Sequence, residues 1–197
     1  MKTSLLTTAA LGSILLAGCN AQNSNKGMLS LEEQLTNPLY TERYAEELVD
    51  RMVEYKIQAD PLLNDESKAN TVEEARKKWL EVARDARKKQ REGLRGFLIT
   101  INEPIKGEVL YVDDTLYLDT TAIIAPGPNV HLYLSSIIDP RDVEFPDESA
   151  IDIGKVQSAY GAQQYAVTPV SDPEAYRTVV VWDNDLSRLL GFAQINK

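Results

Sequence analysis

The sequence predicts an α+β protein, an N-terminal α-helical hairpin followed by an antiparallel β-sandwich or barrel. Three observations lead there. Apolar residues recur every three or four positions between Asn37 and Ala86, which places them on helix faces. Beyond Gly96 the period changes to short runs rich in β-branched and aromatic residues, parted by Pro, Gly, Asp and Asn. After Cys19 no apolar stretch approaches the roughly 20 residues that a membrane span requires.

The chain begins with Met1 and Lys2, then an apolar run through Leu5, Leu6, Leu11, Ile14 and Leu16. That run is too short for a spanning helix and reads as the core of a secretory signal, residues 1–18. It ends in Leu16-Ala17-Gly18-Cys19, which resembles a bacterial lipobox. Small residues admit the signal peptidase, and the sulfur of Cys19 takes the lipid. Cys19 is the only cysteine, so the mature chain is expected to have no free thiol, disulfide or cysteine metal ligand. Acylation at Cys19 makes the lipid bilayer a partner, several chains holding where one alone is marginal.

Residues 19–30 are small and polar, the composition of a flexible tether. The helical hairpin is expected over 31–95. Asn37-Pro38 pairs an N-cap with a residue pre-set for the first helical turn. Ala45, Leu48, Met52, Tyr55 and Ala59 then share one face, and Asp60-Pro61 closes the helix. The second helix is expected to start at a capping box, Asn70 with Glu73 or Thr71 with Glu74. Val72, Ala75, Trp79, Val82 and Ala86 form its stripe, and Gly93 and Gly96 mark the exit. Two such helices joined by a short loop pair most economically as an antiparallel hairpin.

Residues 96–197 form the β-domain. In "NVHLYLSS" Val130, Leu132 and Leu134 alternate with His131, Tyr133 and Ser135, as a strand with one buried face does. "TVVVW" is apolar on both faces and is expected at the centre of a sheet. The acidic stretch 136–150 is too long for a tight turn and is expected as an excursion at one end of the sandwich.

The net charge of −9 disfavours nucleic acid as a partner, since binding phosphates needs a basic surface. The second helix runs against that trend, with "RKK" at 76–78 and "RKKQR" at 87–91. It reads as a solvated face softened by Glu73, Glu74, Glu81, Asp85 and Glu92. Contact with anionic headgroups or with the acidic β-domain is the alternative.

With the strands laid out, "GPNVHLYLS", "IDIG", "YGAQQYAV", "YRTVVVW" and "GFAQI" follow one another in the order and approximate spacing of the electron-transfer DM-thirteen domain, which residues 96–197 resemble. The resemblance implies a compact β-domain of a secreted or surface protein. It also implies a cysteine after the strand that reads "VVVW" here, the residue on which a redox role rests. This chain has Asp183 there, and a carboxylate neither cycles a thiol nor forms a disulfide.

The candidate binding residues are His131, Tyr165, Trp182, Asp183 and Asp185. Asp183-Asn184-Asp185 offers calcium-type oxygens but lacks the longer ligand array of a calcium loop, and reads as a turn. His131 has no second histidine or free cysteine to complete a zinc or haem site, and reads as an outward strand residue. No nucleophile elbow, phosphate loop or HExxH occurs. The expectation is a non-enzymatic envelope lipoprotein with no metal, catalytic residue or cofactor, whose sandwich binds a ligand or an envelope protein partner. The alternative is an electron-transfer accessory acting through a bound cofactor or redox partner. Asn20 after the cysteine implies the outer membrane where a cell has two.

Overall fold

The computed structural model describes residues 29–197. The expected signal segment, most of the tether and Cys19 lie outside the described residues. Ser30 opens the fold, its side chain and that of Glu33 forming a reciprocal capping box on a short helix, α1 (Leu31–Gln34). Asn37 then caps α2 (Pro38–Ile57), accepting from the amides of Leu39 and Tyr40, with proline at the first helical position.

A 3₁₀ turn over Pro61–Asn64 leads to α3 (Glu66–Glu92), which runs for 27 residues. Its start corrects the sequence expectation. The cap is Asp65, whose carboxylate accepts from Ser67 and Lys68, while Thr71 donates back to the Ser67 carbonyl from within the helix. The Asx cap lay in a polar stretch without apolar period, so periodicity alone missed the first turn. The expected stripes otherwise meet as an antiparallel pair, with Ala45, Val72 and Ala86 buried. Ala59 falls beyond the end of α2 at a positive φ.

Among the described residues the strands build three antiparallel sheets, and no barrel closes. The first has the order β1 (Leu94–Phe97), β4 (Glu108–Val112), β5 (Thr115–Leu118), β9 (Gln163–Ala166). The second has the order β2 (Ile99–Thr100), β11 (Arg188–Gln194), β10 (Thr178–Asp183), β7 (Val130–Ser135), β8 (Ile151–Lys155). A two-stranded ribbon pairs β3 (Ile105–Lys106) with β6 (Ile123–Ile124). Pairing begins at Leu94, two residues before Gly96. Between β4 and β5, Asp113 and Asp114 both take positive φ, as a two-residue hairpin matching the strand twist requires.

The main core lies between the two larger sheets. Val109, Leu116, Leu118 and Tyr165 from the first meet Leu132, Leu134, Val179, Val181 and Ala193 from the second. β10 is central, as its pattern predicts: Val179 and Val181 face this core, while Val180 packs with Tyr133, Phe145 and Phe192 on the opposite face.

That second face corrects two further expectations. Tyr133 and Ser135 are buried as well as their neighbours, so β7 is covered on both sides except at His131. The cover is the 136–150 loop, which folds back across the sheet and inserts Phe145 rather than projecting from one end. On the far side of the molecule, α2 and α3 pack on the first sheet, where Leu39 meets Leu110, Val112 and Tyr117. The layers are therefore helices, sheet, sheet and loop.

Candidate functional site

The outer face of β7 and β10 gathers most of the polar chemistry. His131 and Trp182 are direct cross-strand partners. Nδ1 of His131 lies 2.9 and 3.0 Å from the carboxylate oxygens of Asp152 on β8, and Nε2 lies 3.2 Å from Oδ1 of Asn129. Nδ2 of Asn129 donates to Asp185 at 2.9 Å, which turns the amide oxygen toward the imidazole. A chain of contacts thus joins the edge strand, the start of β7 and the β10–β11 turn.

Trp182 sits beside this chain, half-buried, its ring 5.2 Å from that of Phe145. Phe145 in turn meets Tyr133 edge-on at 5.4 Å, and the Tyr133 hydroxyl donates to Asn184 at 2.8 Å. Burial raises the Tyr133 hydroxyl above the ordinary tyrosine range. The loop that supplies Phe145 is clamped by Asp147, which accepts from the Ser135 hydroxyl and from the amide and hydroxyl of Ser149. Burial works to raise the Asp147 carboxyl, but the Ser149 and Ser135 hydrogen bonds outweigh it and hold the group below the usual range.

Asp183 points the other way. It is fully buried and opposes Val130 on the core side. Oδ1 accepts from the amides of Asp185 and Leu186, so Asp183-Asn184-Asp185 folds as an Asx-type turn. Oδ2 has no hydrogen-bond partner among the described residues and lies against Gly127, where a Cβ would approach it to 2.3 Å. Only glycine fits at that contact.

Tyr165 stands apart from the other four candidates. It belongs to the first sheet and faces the core, its hydroxyl donating to Gln163 at 2.5 Å and accepting from the Gln157 amide at 3.0 Å. Burial pushes that hydroxyl up to about 12. Strand alternation places Tyr165 opposite Leu116 in the interior, and no sequence signal separates such a tyrosine from a surface one. Sequence reasoning missed Phe145, placed when the 136–150 loop folds back, and Asn129 and Asp152, whose contacts with His131 arise from the start of β7 and its pairing with β8.

A family model completes the picture. Residues 98–195 match the family described as Electron transfer DM13. The matched segment runs from the end of β1 through β11 and takes in both faces of the second sheet. No curated protein and no solved structure matches the chain. Within the DM13-like domain, the position where the resemblance implies a cysteine is the buried Asp183.

The described residues do not assemble a metal-held redox centre. Among the described residues no three His, Cys, Asp or Glu side chains converge as a metal cradle. Both ring nitrogens of His131 already face acceptors. The unpartnered oxygen of Asp183 lies against Gly127. No helix of the described residues is long and apolar enough to cross a membrane.

Proposed function

We propose that the protein is a non-enzymatic, lipid-anchored envelope protein whose DM13-like domain serves electron transfer as an accessory, engaging a redox-active partner rather than carrying electrons on its own side chains. The match over 98–195 supports the electron-transfer role and favours it over a general binding module. The observation that turns it into an accessory role is Asp183. A buried carboxylate that caps a turn stands where a thiol is expected, and the only cysteine of the chain is Cys19.

The lipobox-like Leu16-Ala17-Gly18-Cys19 supports attachment to the bilayer, with the outer membrane the destination in a cell that has two. A protein held near the membrane meets membrane-bound partners at a high effective concentration, so a weak docking surface suffices. Membranes from cells lacking the protein are expected to reduce added ferricyanide more slowly than normal membranes. The wild-type chain restores the rate and Cys19→Ser does not. Equal rates with and without the protein overturn the reading.

A further inference from the structure

We propose that the face around Trp182 is a docking surface for a protein that presents a basic patch. The partner's redox character rests on the function proposed above; the docking itself does not. Trp182 is held by Phe145, which Tyr133 and the clamped loop hold in turn. A rigid, half-buried tryptophan needs little ordering on contact, which is why such residues dominate binding energy. Each contributing segment carries an exposed apolar group, Val143 two residues before Phe145 at 42% exposure and Leu186 four residues after Trp182 at 55%.

The exposed charges nearest the tryptophan are mainly acidic. Glu144 precedes its ring partner, Asp185 lies three residues beyond it, and Asp152 is bonded to its cross-strand neighbour His131. All three are exposed. Asp185 and Asp152 are each held by a neighbour, Asn129 and His131. Nearby cations are mostly occupied: Arg141 binds Asp139 and Arg188 binds Glu103. Lys155, paired with His131 across the strands, stands at the edge. Over residues 98–197 the cationic side chains besides His131 are only Lys106, Arg141, Lys155, Arg177, Arg188 and Lys197. Such a field attracts a basic surface and repels anionic lipid and nucleic acid.

The test uses the ¹⁵N-labelled full chain, whose two tryptophans give two indole signals, Trp79 on the hairpin and Trp182 on the opposite side. Two basic probes are added separately, lysozyme, which is redox-silent, and cytochrome c. Each is expected to move the Trp182 signal and leave Trp79 in place, with the shift lost at about 300 mM salt. Combined Glu144→Lys and Asp185→Lys substitutions are expected to weaken binding about tenfold or more. Asp50→Lys with Glu74→Lys, on the hairpin, is expected to change it less than about twofold.

An unmoved Trp182 signal, or equal weakening by the hairpin substitutions, overturns the proposal. If both probes dock at Trp182 while membranes lacking the protein reduce ferricyanide normally, the docking surface stands and the electron-transfer reading falls.

Discussion

The carboxylate of Asp183 is buried directly beneath Gly127, with Oδ1 capping a turn and Oδ2 lying where a Gly127 side chain would be. Gly127→Ala is therefore expected to destabilise the fold by about 1–3 kcal/mol through overpacking. Asp183→Asn keeps Oδ1 as acceptor for the Asp185 and Leu186 amides and exchanges the unpartnered Oδ2 for an equally unpartnered amide nitrogen, so it is expected to stay within about 1 kcal/mol of the wild type. Asp183→Ala loses both bonds and is expected to cost about 1–3 kcal/mol. Urea unfolding of the three variants separates these outcomes.

Asn37 performs two tasks that one substitution can divide. Its Oδ1 caps α2, while its Nδ2 donates to the Leu118 carbonyl at 2.8 Å and the Gln163 carbonyl at 3.4 Å, fastening the hairpin to the first sheet. Asn37→Asp keeps the cap but sets a buried carboxylate against two carbonyl oxygens. It is expected to destabilise more than Asn37→Ala, which costs about 1–2 kcal/mol for the cap. Thermal unfolding of both variants at neutral pH checks the order.

Two buried tyrosines make the fold sensitive to alkali. Burial pushes Tyr165 and Tyr111 up to about 12, against about 10 when unfolded. Between those values the unfolded chain releases protons that the folded chain keeps, so stability falls as pH rises. It is fully present below pH 10 and is lost through pH 12. Tyr165→Phe is expected to flatten this decline, read by urea midpoints at pH 9, 10 and 11.

Asp147 gives the opposite dependence. Its folded value is depressed, so the stability it contributes is present above the ordinary aspartate range and is lost as pH falls below it. The loop carrying Phe145 is expected to loosen there, shifting Trp182 emission to the red in a Trp79→Phe background. Ser149→Ala, which removes a hydroxyl donor to Asp147, is expected to bring that shift to higher pH.

Arrangements that follow from period were legible in the sequence: the faces of α2 and α3, the central place of "TVVVW", and the order of helices and strands. The Asp65 cap was not, because a single side-chain contact sets it outside any apolar pattern. The 136–150 loop was not, because its path is decided by where Phe145 finds an aromatic pocket, and the segment itself reads as acidic and polar. The basic stretch of α3 was legible as charge but not as pairing. Arg87 binds Glu42 and Glu46, and Lys89 binds Asp113 of the β-domain, which ties much of that face internally.

The candidate residues divide for the same reason. Strand alternation separates His131 from Leu132 and Trp182 from Asp183, but it does not show which of Trp182 and Asp183 is the buried one. Tyr165 shared an aromatic character with Trp182 and nothing else.

The most direct test of the account is an absorption spectrum with redox titration of the lipidated protein purified alone from native membranes. The account predicts a colourless chain with no reversible transition of its own. A stoichiometric, reversible transition that stays with the purified chain contradicts it, because the redox centre would then belong to this protein and not to a partner.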